Sequence, residues 1–369
     1  MINEDRIVKE FMKYVQIASP SKKEKEFADF IKGELEALGL DVYIDNSGEA
    51  AGSNTGNIIA RLSGNAEKPP ILFSCHLDTV TPAIGIKPII KDGVIYSDGT
   101  TILGADDKAG IAAVIEALKA VKENNIEHGL IEVVFSICEE IGLVGSKNLE
   151  YEKIQSNRAF VLDSGGEPGE IVVQGPAQDN IEAKIIGRAA HAGVAPEEGI
   201  SAIKIAANAI SKMNLFRIDE ETTANIGVIH GGEATNIITP EVKIYGEARS
   251  LNEDKLNKQS NHMSNCIEEI VKEFGGKVEI KVKREYNAFK VEENMDIVEL
   301  MKKACSNLEL NFHIETSGGG SDTNIFNENG IRAVNIATGE RKPHTLEEYV
   351  VIKDLVNTAK LVLEMIKLA

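Results

Sequence analysis

Ile71-Leu-Phe-Ser-Cys-His-Leu-Asp78 is a short apolar run that closes on a histidine and an aspartate, and its reading decides the fold. It has the pattern of a buried strand giving way to a loop. Ile131-Glu-Val-Val-Phe-Ser-Ile-Cys-Glu-Glu140 and Ala159-Phe-Val-Leu-Asp163 repeat the pattern, each ending on acids. Between the first two, Leu103-Gly-Ala-Asp-Asp-Lys108 leads into a helical stretch, Lys108 to Val121. Strands alternating with helices imply an α/β fold with a mixed sheet covered by helices. In open sheets of this kind, ligands bind beyond the carboxyl ends of the strands, where residues distant in sequence converge. His76, Asp78, Asp106, Glu139, Glu140 and Asp163 all sit at such transitions, and Pro343-His344-Thr345 adds His344.

This donor set suits two divalent ions. If Asp106 is shared, Glu140 and His344 hold one ion, and Asp163 and His76 the other, three carboxylates and a bridging hydroxide balance the charge. Two metals about 3.5–4 Å apart can bind a carbonyl oxygen and deliver hydroxide at neutral pH. Imidazole with carboxylate suits Zn²⁺, and also Co²⁺ or Mn²⁺. His76 and Asp78, two apart on a strand, leave the same face, so the carboxylate can accept from the imidazole and orient it. Glu139 and Glu140 are adjacent, so one can bind metal while the other moves a proton. Taken alone, a His-x-Asp pair is commonly a structural hydrogen bond, and paired acids are commonly solvated. It is their coincidence at successive strand ends that points to chemistry.

The ordered motifs resemble the aminoacylase and carboxypeptidase (M20) family of dinuclear metallopeptidases, in particular its peptidase T-like branch. The matching stretches are Ser74-Cys-His-Leu-Asp-Thr-Val80, Gly104-Ala-Asp-Asp-Lys-Ala-Gly110, Glu139-Glu-Ile-Gly142, Leu162-Asp-Ser-Gly165, His191 and His344-Thr-Leu-Glu-Glu348. The resemblance implies that His76, Asp106, Glu140, Asp163 and His344 are metal ligands, that Asp78 orients His76, and that Glu139 is the general base. It implies further that an inserted domain supplies His191, Asn236 and Arg249 to the substrate. His191 would hold the carbonyl oxygen and Arg249 the substrate carboxylate, and that domain can also form a homodimer. Gly320, Ser321 and Asp322 would lie beside the metals. The expected activity is removal of the N-terminal residue from short peptides, chiefly tripeptides. A carboxypeptidase, an N-acyl-amino-acid amidohydrolase and a binding protein on the same fold stand as alternatives.

The chain has 369 residues, 40 Lys plus Arg against 58 Asp plus Glu, and a formal charge of −18. That sign argues against nucleic acid or an anionic membrane as partner. No run approaches the roughly 20 apolar residues needed to cross a bilayer, and the N-terminus lacks a signal-peptide pattern, so the expected location is the cytoplasm. Cys75, Cys138, Cys266 and Cys305 show no Cys-x-x-Cys spacing and read as free thiols. Cys75 and Cys138, each preceding a proposed site residue, are expected to pack beneath it as small hydrophobes.

The opening stretch reads as two helices, the second with a capping box at Ser21-Lys-Lys-Glu24 and a stop at Gly39. Lys87 to Tyr96 reads as a hairpin turning at Asp92-Gly93. From about Asp179 the order becomes β-α-β-β-α-β, a ferredoxin-like α+β module. The domains expected are therefore 1–178, the first part of a catalytic domain; 179–289, an inserted ferredoxin-like lid; and 290–369, the remainder of the catalytic domain. Ser317-Gly-Gly-Gly-Ser-Asp-Thr323 lacks the Lys-Ser/Thr of a phosphate-binding loop.

Overall fold

In the computed structural model, which describes all 369 residues, the opening run forms the strand Ile71–His76, buried at every position. It lies parallel to Ile131–Ser136 on one side and to Arg158–Ser164 on the other. The nine-stranded mixed sheet runs from one edge as Asp41–Ile44, Ile58–Leu62, Ile131–Ser136, Ile71–His76, Arg158–Ser164, Arg332–Ala337, Glu170–Gly175 and Phe289–Lys290, with His313–Thr316 also paired to Glu170–Gly175. The first two strands join antiparallel, and Arg332–Ala337 is parallel to Arg158–Ser164. Three parallel neighbours thus end at the same edge. His76 pairs with Ser136, and Ser74 with Val161, so two steps further on His76 and Asp163 stand side by side.

The helix Ala105–Glu123 packs on Ile71–His76 and Arg158–Ser164 beneath Ile352–Leu368 and is buried along almost its whole length. Gly110 permits this approach: a Cβ there would come within 2.6 Å of the Leu162 carbonyl oxygen and 2.9 Å of Cys75 Sγ. Glycine is required by close contact. Truncating a wholly buried side chain such as Leu118 would cost about 2–5 kcal/mol, the lost transfer energy plus a cavity.

The N-terminal helices are Glu4–Gln16 and Lys25–Ala37. Gly39, at φ 81°, stops the second as expected, but the capping box does not form. Glu24 takes the N-cap position without a capping bond, and Ser21 Oγ donates to Asp78 instead. The hairpin turns at Asp92 and Gly93, both at positive φ, as a type I′ turn requires. Its strands, Ile89–Lys91 and Val94–Tyr96, continue into a four-stranded antiparallel sheet with Tyr349–Val351 and Glu340–Arg341. The loop carrying His344 is the connection between the last two.

Contacts divide the chain into two compact units. One comprises 1–174, 290–316 and 321–369; the other comprises 175–289 with 317–320. The second unit has a five-stranded antiparallel sheet in the order Phe216–Arg217, Thr222–Gly231, Glu241–Ser250, Ala177–Ile186, Lys277–Tyr286. Helices Ala202–Lys212 and Glu253–Phe274 cover one face around Ile181, Ile185, Ile205, Ile244, Met263 and Ile267. Apart from the two-residue edge strand, the order is β-α-β-β-α-β.

Candidate active site

Asp106 sits between two imidazoles. His76 Nε2 lies 2.8 Å from its Oδ1, and His344 Nε2 lies 3.1 Å from its Oδ2. His76 Nε2 is also 3.4 Å from Asp163 Oδ1, and His344 Nε2 is 3.0 Å from Glu140 Oε2. The chain therefore brings His76, Asp106, Glu140, Asp163 and His344 into one cluster. His76 comes from a strand end, Asp106 and Asp107 from a non-helical kink opening the helix Ala105–Glu123, and His344 from a loop position at φ 62°. A left-handed non-glycine residue of this kind is sparsely populated and concentrates at functional sites.

The donors fit divalent cations on two observations. Donor atoms of His76, Asp106 and Glu140, and again of His76, Asp107 and Asp163, lie within 4.8 Å of one another. Glu140 Oε1 and Asp107 Oδ1 are buried oxygens with no hydrogen-bond partner, a costly arrangement in an apolar surround unless a cation neutralises it. Burial would raise Asp106, but hydrogen bonds from His344 and His76 hold it well below the usual carboxylate range. Burial lifts Asp163 to about 7 against the opposing His76 hydrogen bond. Glu139 is pushed well above its ordinary value by burial and then by the Asp163 charge.

Asp78 acts differently from the expectation. His76 Nδ1 meets the main-chain carbonyl of Asp78 at 2.9 Å, whereas the carboxylate is 3.6 Å away, beyond hydrogen-bonding range. The wholly buried carboxylate instead accepts the backbone N–H groups of Glu139 at 2.9 Å and Glu140 at 3.3 Å, together with the Ser21 hydroxyl at 2.7 Å. Asp78 thus fixes the backbone that carries both glutamates.

Glu348 is the anchor that sequence reasoning did not assign. Its buried carboxylate accepts the backbone N–H groups of Leu103 and Gly104 at 2.7 Å and of Asp106 at 3.0 Å. Asp107, fully buried, accepts the His76 backbone N–H at 3.0 Å. Cys138 is buried but lies beyond the strand end, at φ 52°. Its Sγ and N both lie 3.1 Å from Glu24 Oε1, so it is a hydrogen-bond donor as well as a small apolar group.

The residues of the glycine loop are held by structural contacts. Both carboxylate oxygens of Asp322 accept from serine hydroxyls, Ser136 and Ser146, at 2.5 Å, and the residue is 2 % exposed. It braces the sheet by tying the end of the strand Ile131–Ser136 to Ser146. Ser321 is the N-cap of the helix Asp322–Glu328 in a capping box with Asn324. A Cβ at Gly320 would meet the Tyr286 ring at 2.2 Å, so this glycine answers to packing. In the second unit His191 is exposed and bridges to Ile237. The Ala192 N–H donates to the Asn236 carbonyl at 2.9 Å, which places His191 and Asn236 in paired loops. Arg249 is held by Glu247.

With this geometry in view, the likeness to known proteins is specific. Residues 72–368 match peptidase family M20/M25/M40, and the chain belongs to that family: it is a peptidase. A protein of Bacillus subtilis named uncharacterized protein YqjE is 46% identical over 367 residues, covering 100% of this chain and 99% of that one. The crystal structure of aminopeptidase PepT from Bacillus cereus superposes with a TM-score of 0.91 at 45% identity, covering 100% and 99% of the two chains. That of a tripeptidase from Staphylococcus aureus gives a TM-score of 0.95 at 44% identity, covering 100% and 98%. No helix is long and apolar enough to cross a membrane.

Proposed function

We propose that this chain is an aminotripeptidase that uses two divalent ions and releases the N-terminal residue of short free peptides. The observation that carries the reading is Asp106 poised between His76 and His344, with Glu139 and Glu140 held beside them by Asp78. The full-length likeness to an aminopeptidase and a tripeptidase supports the substrate class. Asp106 would be shared, with His76 and Asp163 completing one ion's shell and His344 and Glu140 the other's. The nitrogen and carboxylate donors suit Zn²⁺, with Co²⁺ or Mn²⁺ as substitutes. Ions bound there supply Lewis acidity and a nucleophile at neutral pH.

The remaining work falls to the chain. Glu139 takes the proton of the attacking water and returns it to the leaving nitrogen. Asp78 keeps that carboxylate in place through the Glu139 N–H. Arg249 takes the peptide carboxylate, its planar fork matching two oxygens, and His191 and Asn236 serve the scissile carbonyl. Four free, buried cysteines suit a reducing compartment such as the cytoplasm.

The test is hydrolysis of free, N-acetylated and C-amidated trialanine by metal-stripped enzyme resupplied with Zn²⁺, Co²⁺ or Mn²⁺, with products identified by mass spectrometry. Metal-dependent release of N-terminal alanine, blocked by the acetyl group, is expected. Release from the C-terminus would make the enzyme a carboxypeptidase, and loss of the acetyl group alone would make it a deacylase.

A further inference from the structure

Arg249 and Glu247 are two apart on the strand Glu241–Ser250 and project from the same face. Glu247 Oε1 accepts Arg249 Nε at 3.1 Å and Oε2 accepts Nη2 at 3.0 Å. This is a side-on pair that engages one edge of the guanidinium. A guanidinium has five N–H groups, so the other edge, formed by Nη1 and the second Nη2 proton, stays open to a second bidentate anion. Nη1 lies toward the Ser317–Gly320 loop, 3.9 Å from where a Cβ on Gly319 would stand.

Glu247 is itself held. Gln178 Nε2 donates to Glu247 Oε2 at 3.2 Å and to Asn180 Oδ1 at 2.9 Å. The orientation of that amide is set by the buried Tyr286 hydroxyl, which donates to Gln178 Oε1 at 2.7 Å. The same Tyr286 ring fills the space that a side chain at Gly320 would need. The order is a chain of hydrogen bonds, Tyr286 to Gln178 to Glu247 to Arg249, across neighbouring strands. A flexible arginine locked at Nε loses its rotamer freedom before the ligand arrives, which removes that entropy from binding.

We propose that Glu247, fixed by Gln178 and Tyr286, is a positioning residue that sets specificity for a free peptide C-terminus by presenting the open Nη1–Nη2 edge of Arg249 to the carboxylate. This rests on the reading of Arg249 given above. It predicts that selectivity depends on residues that never touch the peptide.

Steady-state kinetics on trialanine and trialanine amide test it, using wild type, Glu247→Gln, Tyr286→Phe and Arg249→Lys. Glu247→Gln should lower the free-to-amidated ratio of kcat/KM about tenfold, equivalent to about 1.4 kcal/mol, the loss falling on KM of the free peptide. Tyr286→Phe should shift the ratio the same way by about threefold, as for one net hydrogen bond of the weaker kind, with thermal melting confirming an intact fold. Equal losses on both peptides, an unmoved ratio or a lower KM for the free peptide would overturn the proposal. Arg249→Lys separates the two failures. If it leaves the ratio intact, Arg249 does not read the carboxylate at all. If it collapses the ratio while Glu247→Gln does not, only the positioning role is lost.

Discussion

Glu348 accepts the backbone N–H of Asp106 at 3.0 Å across 242 positions of sequence. With Leu103 and Gly104 bound to the same carboxylate, the loop that aims Asp106 is tied to the segment that carries His344. Neither residue could be placed by its own element alone: Asp106 and Asp107 lie in a non-helical kink, and His344 lies in an exposed connection.

Glu348→Ala should therefore weaken metal binding without touching a ligand. Partners behind metal ligands are typically worth about 10- to 100-fold in affinity, and a loss of that size is expected in competition titrations against a chelator. Unaltered affinity would show that the Asp106 loop holds its shape unaided.

Glu139 and His76 should separate by what they lose. Glu139→Ala is expected to lower kcat by at least about 100-fold, the low end for a general base, while elemental analysis still finds the metal. His76→Ala should lose metal and activity together. A His76→Ala protein that keeps full metal content would contradict the ligand assignment.

Chelation should lower thermal stability, because the ions bind the folded centre and the unfolded chain lacks it. At a free metal concentration of about 100 times Kd the stabilisation is about 2.7 kcal/mol. In a unit of this size that corresponds to roughly 5–10 °C in Tm. Equal melting temperatures for the stripped and Zn²⁺-loaded proteins would mean that the buried carboxylates manage without cations.

The cysteines should be inert in the folded protein. All four are buried, and burial pushes the thiols up, Cys138 to about 12 with added help from Glu24 and Cys305 to about 11. Since the thiolate is the reactive species, a chromogenic disulfide at pH 8 should react negligibly with native protein and with four thiols after denaturation in guanidinium. Rapid native reaction of any one would reveal an opening that burial does not suggest.

Much of the fold and the centre is legible in the sequence because a single signal serves both. An apolar run that stops at a charged residue marks a strand and also its carboxyl end, so His76 and Asp163 announce themselves. The glutamates after Ser136 do likewise. The roles of Asp78, Glu348 and Asp322 are not legible in that way. Each depends on which backbone N–H groups or hydroxyls a particular loop leaves unsatisfied, which is a property of three-dimensional shape. Ser21 illustrates the limit: its spacing to Glu24 reads as a capping box, yet Ser21 turns to Asp78, far along the chain, and Glu24 accepts from Lys22, Ser53 and Cys138. Gly320 is similar, a glycine demanded by the Tyr286 ring.

Gln178 and Tyr286 face each other in register across two antiparallel strands, although 108 residues separate them. The long excursion through 175–289 thus begins and ends at one place, while 317–320 returns to the same unit separately. Once that unit has folded, the excursion acts on the rest of the molecule as a hairpin link a few residues long. Because each halving of a loop recovers about 0.6 kcal/mol of closure entropy, early folding of the insert favours joining the two distant parts of the discontinuous sheet.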